Sequence, residues 1–143
     1  MNNRKFGLKN TFDFLLASWG IFVLSPLLFI VSVAIKLSSK GSVMYIAPRV
    51  GLHGRNFNLY KFRTMVADAD KQVEGSITVK GDRRVTSLGR FLRKFKLDEL
   101  PALINVIKGE MSFVGPRPDV PGYADRLEGV SRRLLLLKPG ITG

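Results

Sequence analysis

The stretch FLLASWGIFVLSPLLFIVSVAI, Phe14–Ile35, runs for 22 residues without a charged side chain and decides how the rest of the chain must be read. Roughly 20 consecutive apolar residues are enough to cross the hydrocarbon core of a bilayer as a helix. The run exceeds the roughly 7–15 apolar residues of a secretory signal, and no small-residue cleavage site follows it. Pro26 falls in its middle, removing one backbone donor and crowding the preceding turn, so a kink is expected at Ser25-Pro26, where the Ser25 hydroxyl can satisfy a freed carbonyl. Arg4, Lys5 and Lys9 precede the run and Lys36 and Lys40 follow it. The positive-inside rule then assigns both ends to the cytoplasm. A helix broken at Ser25-Pro26 that enters and leaves by one face meets both signals. A straight helix that crosses the bilayer with a tolerated proline meets the first alone, and the residues leave the two open.

Outward from this run the chain changes character. Its 143 residues carry 23 basic and 11 acidic side chains, a formal charge of +12, and the part beyond Ile35 is still strongly basic. We divide it into a membrane-anchoring segment, 1–40, and a domain, 41–143, large enough for a modest core. With no cysteine and only His53, a disulfide framework, a Cys-ligated zinc site, a thiol nucleophile and a Ser-His pair are all excluded. Carboxylates, hydroxyls and basic groups remain for chemistry.

Ser42–Val50 and Asn56–Phe62 are rich in β-branched and aromatic residues and flank Gly51-Leu52-His53-Gly54, the pattern of two short strands around a turn. His53 reads as a surface residue of that turn. Met65 to Asp82 is polar and aperiodic, a loop around a short helix. Thr86-Ser87 caps a helix to about Leu97, in which Leu88, Phe91, Leu92 and Phe95 form one apolar stripe opposite Arg90, Arg93, Lys94 and Lys96. That helix suits either a core-facing position or the headgroup layer of an anionic membrane. Arg132–Leu137 suggests a further short apolar helix, ended by Pro139-Gly140. The fold class expected is mixed α and β, predominantly helical, with a membrane-embedded kinked N-terminal helix, amphipathic interfacial helices and a small β element.

Three places concentrate charge at turns. In Leu97-Asp98-Glu99-Leu100-Pro101, proline in a first helical turn predicts a helix from about Asp98 to Gly109, with two carboxylates at its start. The dipole there favours an ionised Asp98 and also phosphate, and a divalent cation would offset their repulsion. In Gly115-Pro116-Arg117-Pro118, two prolines present one guanidinium whose planar fork matches phosphate oxygens. In Tyr60-Lys61-Phe62-Arg63-Thr64, strand alternation puts Lys61 and Arg63 on one face. Arg83, Arg90 and Arg93 add positive charge suited to a pyrophosphate. Walker and Rossmann glycine fingerprints are absent.

The assembled motifs resemble the monotopic phosphoglycosyl transferases, or bacterial sugar transferases. The resemblance covers nearly the whole chain. It rests on Ser25-Pro26, Ala34-Ile35-Lys36-Leu37, Arg49-Val50-Gly51, Tyr60–Met65, Asp82-Arg83 followed by Gly89–Arg93, Leu97–Pro101, Asn105-Val106 and Ser112–Pro118. It implies transfer of a sugar 1-phosphate from a UDP-sugar to a polyprenol phosphate such as undecaprenyl phosphate, at the cytoplasmic face of the bacterial inner membrane, with loss of nucleoside monophosphate. By the same resemblance Asp98 is the nucleophile that forms a covalent phosphosugar intermediate. Glu99 assists, and both carboxylates hold Mg2+. Arg117 binds phosphate, with Lys61, Arg63, Arg83 and Arg93 as secondary phosphate-binding candidates, and the family's re-entrant helix favours the kinked reading at Ser25 and Pro26.

Ala102 and Glu110 replace the Gln and Asp common in the family at those places. Members typically continue past Lys138–Gly143 with a segment that completes the site, so the chain reads as C-terminally short for the family. Two other functions fit the charges: a metal-dependent phosphohydrolase that passes phosphate to water, and a basic adaptor that binds anionic lipid without catalysis. No nucleic-acid-binding module or cluster of stacking aromatics is present, and nucleic acid is not an expected partner. Homo-oligomerisation is left open.

Overall fold

A computed structural model of the chain describes residues 7–67, 69, 82–123 and 131–143, and in it the apolar run lies within one helix, α1 (Leu8–Ser38). At about 1.5 Å per residue this helix is about 46 Å long, against a hydrocarbon core of about 30 Å. Helical winding continues through Pro26. The Ser25 hydroxyl donates to the Phe22 carbonyl at 2.8 Å. That carbonyl is the one Pro26 leaves without its helical amide partner.

One side of α1 turns inward, with Asp13, Ala17, Val31 and Ile35 buried, and the rest is apolar and exposed, as at Phe12, Trp19, Phe22 and Phe29. The helix therefore belongs to the core as well as to the exposed apolar surface. Ala17 packs with Ala47, Leu59, Ala102, Leu103, Val106 and Met111, while Val31 and Ile35 pack with Phe62 and Leu92. The division at residue 40 separates two surface characters, whereas packing crosses it.

β1 (Met44–Val50) and β2 (Asn56–Phe62) form an antiparallel hairpin with Met44 opposite Phe62 and Val50 opposite Asn56. His53 lies exposed in the connecting 3-10 turn, in the left-handed region at φ 56°. Most of the polar loop expected between Met65 and Asp82 lies outside the described residues. Where the chain returns, Thr86 N donates to Thr64 O and Val66 N to Arg84 O, which brings α2 (Ser87–Lys94) against the end of the hairpin. The Thr86 side chain accepts from Gly89 N at 2.9 Å, the cap expected from the sequence. A side chain at Gly89 would run into the Thr64 carbonyl, so this crossing requires glycine.

The apolar stripe of α2 divides. Leu92 is buried and Leu88 packs beside it, whereas Phe91 and Phe95 remain half-exposed against each other, ring centroids 4.8 Å apart. Beyond α2, Lys96 takes a left-handed conformation, and Leu97–Ala102 winds as a 3-10 helix before α3 (Leu103–Ile107). This corrects the single α-helix expected from Asp98 to Gly109. Pro101 lacks an amide in either winding, and the tighter one goes with the left-handed Lys96 before it and the packing over Asn105. β3 (Ser112–Val114) pairs in parallel with β4 (Gly140–Thr142), and the short helix expected at Arg132–Leu137 is a 3-10 segment, Ser131–Leu136.

Candidate active site

The Leu97–Ala102 turn is set by what lies beneath it. Asn105 is fully buried one turn further on, and its amide donates to Asn58 O and to Glu110 Oε2, both at 2.7 Å, while its Oδ1 accepts from Tyr60 N at 3.1 Å. Every polar atom of that amide is satisfied, and α3 is thereby fixed to the middle of β2. Glu110 thus supports this junction.

Above that floor, Lys61 Nζ donates to Glu99 Oε1 at 2.8 Å, with both side chains four-fifths buried. Arg117 Nη2 reaches the same oxygen at 3.4 Å from a largely exposed position. The first contact is the stronger, since exposure and distance weaken the second. Burial alone would raise the Glu99 pKa, but the hydrogen bond and charge of Lys61, joined by Arg117 and Lys96, outweigh it and hold Glu99 below its ordinary value. Asp98 differs. It is buried, its Oδ1 has no hydrogen-bond partner among the described residues, and burial followed by the neighbouring Glu99 charge pushes its pKa up against the opposing Lys61 and Arg93 charges.

Three of the residues singled out from sequence, Lys61, Glu99 and Arg117, therefore meet directly, with Asp98 beside them. Arg93 lies close enough to act on Asp98 by charge, and its Nε donates to Thr64 Oγ1 at 2.8 Å. Arg63 goes elsewhere: β2 ends at Phe62, and the guanidinium donates to Ser39 O, Ser39 Oγ and Lys40 O at the end of α1. Arg83 is exposed in the turn before Val85.

Two cavities meet at Glu99 and Arg117. The larger, about 570 Å³, lies against α1 and is mainly apolar, with Leu16, Trp19, Gly20, Leu24, Leu103 and Phe113 in its walls. The smaller, about 220 Å³, is lined by Arg49 and Lys61 together with Glu99, Arg117 and Asp119. Arg49 has no role in the sequence reading beyond its motif. The hairpin register explains its presence: Arg49 pairs with Phe57, Ala47 with Leu59 and Tyr45 with Lys61, so Arg49 and Lys61 share one face of the sheet. Both walls of the Arg117 loop are tied down, since Gly140 N donates to Pro116 O and Val50 N to Asp119 O, each at 2.9 Å. Backbones pass so closely that side chains at Gly115 or Gly140 would overlap main-chain atoms.

Among the described residues there is no group of three or more His, Cys, Asp or Glu side chains able to enclose a metal. The orphaned Asp98 oxygen and the adjacent Glu99 still fit magnesium, which is commonly held by one or two carboxylates with substrate phosphates and water supplying the rest.

A family model described as bacterial sugar transferase matches residues 4–143. The chain belongs to the bacterial sugar transferase family. Among curated members, the undecaprenyl-phosphate glucose phosphotransferase of Komagataeibacter xylinus is 41% identical over 94% of this chain and 26% of its own length. The UDP-N-acetylgalactosamine-undecaprenyl-phosphate N-acetylgalactosaminephosphotransferase of Aeromonas hydrophila is 39% identical over 95% of this chain and 33% of its own. The exopolysaccharide production protein ExoY of Rhizobium meliloti (strain 1021) is 38% identical over 94% and 66%. This family member thus spans about a quarter to two thirds of those relatives.

Proposed function

We propose that this chain transfers a sugar 1-phosphate from a UDP-sugar to undecaprenyl phosphate or a similar polyprenol phosphate, initiating synthesis of a bacterial glycoconjugate such as an exopolysaccharide. The observation that carries this reading is the meeting of an apolar and a cationic cavity at Glu99 and Arg117, beside the buried Asp98 carboxylate. The cationic cavity suits the donor pyrophosphate, and the apolar one suits a lipid acceptor that approaches along α1. The names of the relatives, with undecaprenyl phosphate and a hexose or N-acetylhexosamine, support the same substrate classes.

In this reading Asp98 attacks the sugar-linked phosphorus. A bond forms from its carboxylate oxygen, the bond from phosphorus to the bridging oxygen breaks, and UMP leaves with that electron pair. An oxygen of the lipid phosphate then attacks the same phosphorus and returns Asp98 as a carboxylate. Dividing the transfer in this way replaces one difficult displacement with two. Lys61 and Arg117 orient Glu99 and face the phosphoryl oxygens, while Arg49 extends the cationic wall. Asp98 and Glu99 would hold magnesium, which would neutralise charge at the phosphates.

Membrane attachment through α1, with the domain at the cytoplasmic face of the inner membrane, is part of the proposal. Its support is that both ends of α1 bond to the same hydrophilic domain, Asp13 with Ser112 near one end and Ser39 with Arg63 at the other, and that both ends carry basic residues. A helix held in this way would keep both termini on one side of the bilayer, with or without a break at Ser25-Pro26, where its winding continues. The test is intact-protein mass after incubation with magnesium and a panel of UDP-sugars. A sugar-phosphate adduct, absent in Asp98→Asn and discharged by undecaprenyl phosphate with UMP released, is the expected result. Normal turnover by Asp98→Asn would overturn the nucleophile assignment.

A further inference from the structure

Asp13 is the single acidic residue in the first 40 positions and lies on the membrane-type helix. A carboxylate there is costly unless it is turned away from lipid and hydrogen-bonded. It is: Asp13 is 6% exposed, and its Oδ2 accepts from Ser112 Oγ at 2.7 Å, within the protein interior. Two neighbouring bonds reinforce the contact. Lys9 Nζ donates to Val114 O at 3.3 Å, and Lys138 Nζ donates to Asn10 Oδ1 at 3.0 Å. The first turns of α1 are thereby tied to both flanks of the β3–β4 pair.

β3 leads directly into Gly115-Pro116-Arg117, the segment that delivers the guanidinium to Glu99. Further along the Asp13 side of α1 stand Leu16, Gly20 and Leu24, which wall the apolar cavity. A slide of one residue along the helix moves that wall by about 1.5 Å. Apolar packing against Ala17 and Leu103 resists such a slide weakly because apolar burial is non-directional, whereas a short hydrogen bond is specific in distance and angle.

We propose that Asp13 is a positioning residue for transfer. Through Ser112 it fixes the height of α1 along β3, and with it the alignment of the helix wall of the acceptor cavity with Glu99 and Arg117. The inference rests on the functional reading above.

Its test is steady-state kinetics of the full chain in lipid nanodiscs, with a UDP-sugar and undecaprenyl phosphate, comparing Asp13→Ala, Ser112→Ala, the double variant and Asp13→Asn. Asp13→Ala and Ser112→Ala should each raise the KM for the lipid acceptor about tenfold, because small misplacements of bound groups are amplified in rate and affinity. The donor KM should stay unchanged, and the double variant should be no worse than either single one. Asp13→Asn keeps an oxygen that accepts from Ser112 and should behave nearly as wild type. An unchanged acceptor KM, losses that track only the folded fraction, or damage from Asp13→Asn equal to that from Asp13→Ala would overturn the proposal. Ser112→Ala, which removes one buried oxygen, carries the test alone if Asp13→Ala does not fold. An inactive wild type would overturn the functional reading and this inference with it, whereas an active wild type with unaffected variants would overturn the inference alone.

Discussion

Asp98 and Glu99 are adjacent in one 3-10 turn, yet they face different surroundings. On the Asp98 side burial dominates: one oxygen lacks a partner among the described residues and the pKa is raised. On the Glu99 side two cations meet one oxygen and the pKa is lowered in spite of burial. Carboxylates pushed apart in this way divide their work: the one that is poorly solvated and weakly paired is the better nucleophile, and the firmly paired one is a fixed charge that organises cations. Apart from the family resemblance, two adjacent acidic residues carry no hint of which is which. The difference comes from Lys61, 38 positions before Glu99, and from which side of the turn faces the cavities.

The largest expected effect attacks the Asp98 side. Asp98→Asn should lower transfer by at least about 1,000-fold, as removal of a covalent nucleophile does, with the thermal unfolding midpoint and membrane fractionation unaltered. Equal loss from Glu99→Gln and retained activity in Asp98→Asn would reverse the comparison. On the other side, Lys61→Met leaves the largely buried Glu99 with the long Arg117 contact, and a loss of about 10–100-fold is expected, read as a rise in donor KM. Beneath both sides lies Asn105. Asn105→Ala strands Asn58 O, Tyr60 N and the Glu110 carboxylate, and should cost about 2–4 kcal/mol in chemical denaturation.

The smallest effect serves as a control. Asp82 is another carboxylate with a lowered pKa, from the ordinary 3.8 to about 2, chiefly through the Arg84 side-chain hydrogen bond. Its folded-state pKa lies below its unfolded one, so its contribution to stability is full above about pH 4 and disappears as pH falls through about 2. The stability difference between wild type and Asp82→Asn should follow that course in unfolding measured from about pH 7 to about pH 2. Transfer near neutral pH should not change. A large loss of transfer would mean that lowered carboxylates matter throughout the domain, and not only at Glu99.

Much of this organisation is legible in the chain itself. The hairpin around Gly51–Gly54, the Thr86 cap and the Ser25 hydroxyl on the carbonyl that Pro26 leaves free come from local chemistry acting over a few residues. The winding of Leu97–Ala102 does not, because Pro101 is compatible with either helix type and the choice depends on Lys96 and on packing above Asn105. Arg63 illustrates a second limit. Its alternation with Lys61 holds only while the strand lasts, and the strand ends one residue too soon. Arg49 illustrates a third, since its presence beside Lys61 depends on hairpin register across a turn.

The sequence by itself determined that this chain carries one long apolar helix, a basic domain, no thiol chemistry and a family-specific order of motifs, because those properties depend on composition and short-range spacing. Packing decided that Asp98 is buried while Glu99 is gripped, that a mainly apolar cavity shares a wall with one edged by Arg49, Lys61 and Arg117, and that Asp13 faces Ser112. Each of those depends on groups distant in the chain, such as Lys61 and Glu99, 38 residues apart, and Asp13 and Ser112, 99 apart. At such separations the burial and partners of a charge, and hence its chemistry, are properties of the packing.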